Sequence, residues 1–351
     1  MIVPRIEIDT EKIAYNAKTL KKLYSSKNID VIGVTKVVCG DPAIAEVLVK
    51  SGIDILADSR IENIVKMHDA DIHVQFLLLR TPMSRSESVV KYTDISLNSE
   101  ISVINEISKS AVKQDTTHKI VLMVELGDLR EGILPSDLEN VVKNVIGLKG
   151  IKVAGIGTNL ACFGGIEPND EKMENLSSLA KDIKEKFGLE LEYISGGNSA
   201  NYNWFVSTKD VGEINNLRLG ESIFLGCETL DKKPIPGLFT DAFSFFAEVI
   251  ESKMKPSLPY SDIYQDAFGN IPKFLDLGLI RRIILGVGLQ DVLVSGLTPI
   301  SDIDILGASS DHIIINAKKL KIKVGDTVEF NLNYGALLSA MTSPYITKIY
   351  K

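Results

Sequence analysis

Short runs of consecutive apolar residues recur through the first two thirds of the chain. Between them lie longer segments whose apolar positions return every three or four residues. The runs fall at 31–35, 53–57, 73–79, 93–97, 119–125, 151–157, 191–195 and 213–218. Val, Ile and Leu occupy neighbouring positions in most of them, as in strands buried on both faces. Most of the intervening segments carry helix signals. Asp41 offers an N-cap and Pro42 a first helical residue before AIAEVLVK, with Gly52 as the stop. Ser99 precedes a segment with Ile101, Ile104 and Ile107 at helical spacing. Pro135 and Ser136 open another, whose apolar face is Leu138, Val141, Val142 and Val145, and 170–187 is a further helix. Parallel strands need crossover helices, so this alternation predicts an α/β chain. An open doubly wound sheet fits the alternation, but eight runs favour closure into a (β/α)8 TIM-type barrel.

The pattern changes after about Gly226. Pro and Gly increase, and the runs at 243–251, 282–287, 312–317, 327–333 and 345–350 are no longer separated by long helices. A C-terminal mostly β domain is expected over 231–351, after a barrel over 10–230. The first strand, 5–9, precedes a helix with Thr10 as N-cap, so residues 1–9 are expected to join the β domain.

Composition narrows the function. At 351 residues the chain is too long for one ordinary core. A net charge of −7 argues against a nucleic-acid or anionic-membrane surface. No apolar stretch is long enough to span a bilayer, and no secretory signal is visible at the N-terminus. Cys39, Cys162 and Cys227 have no metal-type spacing and suit a reducing compartment, so a cytoplasmic location is expected. Four histidines argue against a multi-histidine metal site.

Barrel enzymes place their chemistry at the C-terminal ends of strands. Lys36 stands there, directly after the first run, in VIGVTK. Partial desolvation at such a place favours the neutral, nucleophilic amine and Schiff-base formation. Taken alone, a solvent-facing lysine is the simpler reading. Two further segments change the balance. SGGNSANYNW at 195–204 places Gly196, Gly197, Asn198 and Ser199 in a small polar loop before a helix, and LRLGESIFLG at 217–226 places Gly220 at a helix start. Loops after the seventh and eighth strands often bind phosphate in barrels, through backbone N–H groups and hydroxyls. Each loop alone is an ordinary turn with glycine. Together with a strand-end lysine on the same barrel face, they point to a phosphorylated cofactor.

At these residues the chain resembles the alanine racemase-like, fold-type III pyridoxal-phosphate enzymes, and within them the ornithine racemase branch. The resemblance runs through Lys36, GDLREG at 127–132, GGNSA at 196–200, LRLG at 217–220 and VGDTVEF at 324–330. It implies pyridoxal 5'-phosphate bound to Lys36 as a Schiff base, with Lys36 also exchanging the substrate Cα proton. Arg218 matches an arginine facing the pyridine nitrogen, where a permanent cation disfavours ring protonation and limits side chemistry; its ordinary reading is a surface salt bridge. Ser199 and the backbone around Gly220 and Glu221 match the phosphate site. Arg130 matches an arginine near the substrate carboxylate, or is simply a solvated loop charge. Within NYGALLSAMTSPY at 333–345, Tyr334 matches a phosphate-binding tyrosine, or is an ordinary strand tyrosine. LGASSDHIIIN at 306–316 matches a segment that reaches a partner's active site, which implies a homodimer with shared active sites.

The departures matter as much. Alanine racemases carry a tyrosine base in a Gly-Tyr-Ala-Asp context; here Gly288, Leu289, Gln290 and Asp291 stand there, and leucine moves no proton. A two-base racemase needs a proton-transfer group on each face of Cα. Ser310, Asp311 and His312 are the candidates, and histidine is the side chain that ordinarily titrates nearest neutrality. The plainer role for Asp311 and His312 is to cap a strand or bind a substrate group. Asn159 replaces a ring-stacking histidine of many relatives, and Met123 a carbamylated lysine of some. Ornithine or lysine brings a second ammonium, which needs a carboxylate when buried; Asp291 and Asp311 are the candidates, in a region that also holds Asp302 and Asp304. The expected activity is interconversion of L- and D-ornithine, or of a related basic amino acid. The alternatives are a non-enzymatic pyridoxal-phosphate homeostasis protein, which usually lacks a second domain, and a decarboxylase of the same fold, which carries a Cys-Asp pair where Ser310 and Asp311 stand here. A phosphate-sugar barrel enzyme would make Lys36 incidental.

Overall fold

The computed structural model describes residues 2–266 and 268–351. The chain forms two compact units, Thr10–Thr240 on one hand, and residues up to Asp9 with Asp241–Lys351 on the other.

In the second of these, β1 (Arg5–Ile8) runs antiparallel to a later strand and parallel to the last one. The first unit is a closed barrel. Its strands are β2 (Asp30–Val34), β3 (Ile55–Asp58), β4 (Gln75–Leu78), β5 (Ile95–Asn98), β6 (His118–Met123), β7 (Ile151–Gly157), β8 (Tyr193–Ser195) and β9 (Asn216–Leu219). They pair in chain order, all parallel, and β9 returns to β2, with Ile32 opposite Arg218 and Gly33 opposite Leu219. The eight runs are therefore the eight barrel strands. Closure wins over an open sheet because alternate residues fill a shared interior: Ile32 and Val34, Ile95 and Leu97, Val121 and Met123 belong to one buried cluster with Ala57 and Leu77. Gly155 shows how tight the wall is, since a Cβ there would lie 2.1 Å from the Tyr193 carbonyl oxygen of the next strand.

The helices obey the local signals. Helix α1 (Thr10–Ser25) precedes the barrel, and α2 (Pro42–Lys50) starts at the Asp41 cap, whose carboxylate accepts the Ile44 N–H at 3.3 Å. Then follow α3 (Ile61–Asp69), α4 (Ser86–Tyr92), α5 (Ile101–Lys113), α6 (Pro135–Val145) and α7 (Asp170–Phe187). Asn169 caps α7 by accepting from Lys172 N, left-handed Gly188 ends it, and Met173, Leu176, Ala180 and Ile183 form its buried stripe. Two short helices, α8 (Tyr202–Ser207) and α9 (Glu221–Leu225), follow β8 and β9.

The other unit is a mainly antiparallel sheet. Its strands are β10 (Phe243–Pro256), β11 (Leu279–Leu285), β12 (Leu297–Pro299), β13 (Asp304–Ala308), β14 (Ile313–Asn316), β15 (Thr327–Leu332) and β16 (Thr347–Tyr350). The order is β12-β15-β10-β11-β14-β13, with β1 joined to β10 and to β16. Three elements go beyond the sequence expectation. β12 and β13 are short strands with exposed or bulged positions, and α10 (Tyr334–Thr342) is a helix where a strand tyrosine was the ordinary reading of Tyr334. Asn333 starts α10 by accepting the Ala336 N–H at 3.0 Å. No described helix is long and apolar enough to cross a membrane.

Candidate active site

Lys36 opens a single 3-10 turn, Lys36–Val38, directly after β2. Val37 and Val38 are buried beneath it, so the lysine is the residue of this turn left partly exposed. Among the described residues no hydrogen bond or ion pair engages the Lys36 ammonium group.

Arg218 lies in β9, beside β2, and is 4% exposed. One terminal nitrogen donates to Ser195 Oγ and the other to the Thr158 carbonyl oxygen at 2.6 Å. Ser195 Oγ in turn donates to Asn216 Oδ1 at 2.6 Å. No carboxylate among the described residues pairs with this guanidinium, so the surface salt bridge is excluded. Burial pulls its pKa down to about 10, which still leaves it charged at neutral pH. A buried cation whose remaining N–H groups lack an anionic partner is poised for a ligand.

The loop after β8 is built around two asparagines. Asn201 accepts the Asn198 N–H at 2.9 Å and donates to the Gly196 carbonyl oxygen at 3.0 Å. Asn198 accepts the Ala200 N–H at 2.8 Å. Gly197 has φ +140°, and a Cβ there would lie 2.3 Å from Asn201 Oδ1, so the turn requires glycine. This turn brings Ser199 Oγ to 3.0 Å from Ser222 Oγ, and the Ser222 N–H donates to Ser199 Oγ at 3.1 Å. Gly220 is seated against the end of β2, where a Cβ would lie 3.1 Å from the Val34 carbonyl oxygen. The loops after β8 and β9 thus converge beside the strand that leads to Lys36. At the first positions of these turns, the Ser199 and Glu221 N–H groups have no hydrogen-bond acceptor among the described residues. The Glu221 carboxylate is taken by Lys232, at 2.8 and 3.0 Å, leaving its backbone for a ligand. The sequence signal for Ser222 is only a serine two residues after the strand-end Gly220, too common a pattern to mark it.

Two more features line this end of the barrel. Asn198 Nδ2 donates to Asn159 Oδ1 at 3.1 Å, while Asn159 Nδ2 is buried without a partner. Met123 lies in the barrel interior, so its thioether offers an apolar, polarizable surface there. An unpaired amine, a buried guanidinium, an orphaned amide nitrogen and a serine pair at helical turns suit an aldehyde-bearing heteroaromatic phosphate. The donor set fits pyridoxal 5'-phosphate.

Arg130 follows β6 in a loop held from behind. Asp128 is buried and accepts the N–H groups of Phe163 at 3.2 Å and Gly164 at 2.8 Å, tying this loop to the one after β7. The Arg130 guanidinium is gripped by its neighbour Glu131 through two nitrogens, and that carboxylate holds its pKa up.

The C-terminal unit gathers its own candidates. His312 Nδ1 lies 2.9 Å from Asp311 Oδ1, and both side chains are exposed. Asp311 also accepts from Ser310 Oγ at 3.0 Å, and that bond first, then His312, holds its pKa down. The N–H groups of Leu289 and Gln290 donate to the carbonyl oxygens of Ser309 and Ser310 at 3.0 and 2.9 Å, so Leu289 sits against the loop carrying Asp311 and His312. Asp291, on the same segment, is buried and accepts from Ser343 Oγ at 3.0 Å. Asp302 and Asp304 both pair with Lys318. Tyr334 is the first residue of α10 and is partly buried.

Residues 8–227 match the profile of the family described as alanine racemase, N-terminal domain. Over 98% of its length the chain is 41% identical to the ornithine racemase of Acetoanaerobium sticklandii, of which 99% is covered. It is 38% identical to the lysine racemase of Thermotoga maritima, with 100% and 99% of the two chains covered. Its fold is that of the alanine racemase from D-cycloserine-producing Streptomyces lavendulae, with a TM-score of 0.78 over 100% of this chain and 98% of the other at 16% identity.

Proposed function

The chain belongs to the alanine racemase N-terminal domain family, and from that premise we propose that it interconverts L- and D-ornithine using pyridoxal 5'-phosphate held on Lys36. It is an amino-acid racemase of basic amino acids, as its two full-length relatives are in name. The observation that carries the reading of the site is the unpaired Lys36 at the end of β2, one strand from the buried Arg218, which has no carboxylate partner among the described residues.

Pyridoxal phosphate, when bound, supplies the electron sink that acidifies the Cα–H of an amino acid. This chain's residues do the rest. Lys36 anchors the cofactor and exchanges one Cα proton. Ser199, with backbone N–H groups at Gly220 and Glu221, holds the phosphate, and Tyr334 is a further phosphate ligand. Arg218 holds the ring nitrogen, where a fixed cation disfavours protonation and keeps the chemistry to proton exchange. Arg130 takes the substrate α-carboxylate after leaving Glu131. His312, oriented by Asp311, exchanges the proton on the other face. Asp311 or Asp291 receives the side-chain ammonium.

The cysteine pattern supports a cytoplasmic location, and the resemblance supports a homodimer of two-domain chains in which His312 and Asp311 serve the partner's site. Mixing a Lys36→Ala chain with a His312→Asn chain then restores activity, whereas two folded, exchanging chains that show no rescue speak against sharing. Borohydride reduction of the cofactor-loaded protein, followed by peptide mass analysis, tests the cofactor. A pyridoxyl-phosphate adduct on Lys36 is expected; an adduct elsewhere, or none, removes the reading.

A further inference from the structure

Asp58 ends β3, the strand next to the one that leads to Lys36, and it is 0% exposed. No cation among the described residues pairs with it. Its Oδ1 accepts the Arg60 N–H and Asn63 Nδ2, each at 2.9 Å, and its Oδ2 lies 2.8 Å from Thr35 Oγ1. Thr35 immediately precedes Lys36. The pairing of Val34 with Ala57 sets Thr35 and Asp58 side by side, and Thr35 N–H donates to the Ala57 carbonyl oxygen at 2.8 Å.

Asn63 reaches the other end of the same turn. Cys39 Sγ donates to Asn63 Oδ1 at 3.7 Å. A Cβ on Gly40, at φ +55°, would lie 2.6 Å from the Asn63 Cβ and 2.9 Å from its carbonyl oxygen. The turn bearing Lys36 is therefore gripped before and after by Asp58 and Asn63, which also bind each other. A buried carboxyl without a cation is a costly way to fill that space, and here it is held by the polar groups at both ends of the turn.

We propose that Asp58 is a positioning residue for Lys36: through Thr35 and Asn63 it fixes the turn that presents the amine to the cofactor. This rests on the reading of Lys36 as the cofactor lysine. Proton accounting sharpens it. The Thr35 hydroxyl has one proton and two acceptors, Asp58 Oδ2 and the Ala57 carbonyl oxygen at 3.2 Å. Burial raises the Asp58 pKa, against the hydrogen bonds it accepts from Arg60, Asn63 and Thr35. A protonated Asp58 donates to Thr35, whose own proton then goes to Ala57, and an asparagine amide reproduces that pattern.

The test follows the absorbance of Schiff-base formation after cofactor-free full-length protein is mixed with pyridoxal phosphate. Borohydride trapping locates the adduct, and circular dichroism reports the fold. Wild type is compared with Asp58→Ala, Thr35→Val and Asp58→Asn. Asp58→Ala and Thr35→Val are expected to form the adduct about tenfold or more slowly at temperatures where both stay folded, and Asp58→Asn at close to the wild-type rate. A wild-type rate in Thr35→Val overturns the proposal even where Asp58→Ala fails to fold. A wild type that forms no adduct at Lys36 overturns the cofactor reading instead.

Discussion

Arg218 donates to the Thr158 carbonyl oxygen at 2.6 Å from a guanidinium that is almost wholly buried. That bond joins β9 to the residue just past β7, so the cation proposed to hold the cofactor ring also braces the barrel mouth. Arg218→Gln leaves Thr158 and Ser195 short of a donor and is expected to lower stability by about 1–3 kcal/mol. It also removes the buried charge, so the dissociation constant of pyridoxal phosphate rises. Urea unfolding and an equilibrium cofactor titration check the two effects; a variant with unchanged cofactor affinity speaks against Arg218 as a ring ligand.

Arg130 is held by Glu131, and its proposed role at the substrate carboxylate requires release from that grip. Glu131→Gln weakens that grip, so KM for ornithine is expected to fall with little change in kcat. Arg130→Ala is expected to raise KM by about tenfold or more. Steady-state kinetics on the two variants decide it, and equal KM values throughout would return Arg130 to a solvated loop charge.

His312 and Asp311 form an exposed pair at 2.9 Å. With one proton-transfer group per face, His312→Asn is expected to cut racemisation by about a hundredfold or more. Exchange of the Cα hydrogen of one enantiomer with D2O persists through Lys36. Proton NMR of both enantiomers in D2O reads this directly. Wild-type racemisation in His312→Asn would leave the second base to another group.

Much of this arrangement is legible in the sequence, because a parallel barrel strand is buried on both faces and announces itself as an unbroken apolar run. The eight runs lie within a few residues of β2 to β9, and Lys36 follows the first of them. The C-terminal sheet is harder to read. β12 is three residues ending at Pro299, β13 is mostly exposed and bulged between Ile305 and Gly307, and neither has a buried run. α10 lacks a polar face and contains Gly335, so its helical period is hidden. Site pairs that depend on register were also out of reach. Asp58 meets Thr35 only because β2 and β3 pair Val34 with Ala57, and the run that predicts β3 stops at Ala57, one residue before Asp58.

His118 gives a prediction about stability rather than catalysis. It begins β6, is 2% exposed, lies 2.9 Å from Ser96 Oγ, and burial depresses its pKa to about 4. The unfolded chain takes up this proton near pH 6.5 and the folded chain only near 4. The neutral histidine therefore stabilises the fold above that window, and the contribution is lost as pH falls through it. The gap corresponds to about 3 kcal/mol. His118→Gln is expected to flatten unfolding free energy between pH 6.5 and 4; urea titrations across that range with an unchanged slope would show that His118 is not the group responsible.

The most direct test of the central claim is chiral chromatography of L-ornithine after incubation with the purified, cofactor-loaded protein, beside the Lys36→Ala variant. The account predicts D-ornithine approaching an equal mixture with the wild type and none with the variant. L-ornithine left unchanged by the wild type, conversion to putrescine, or undiminished racemisation by Lys36→Ala would contradict it.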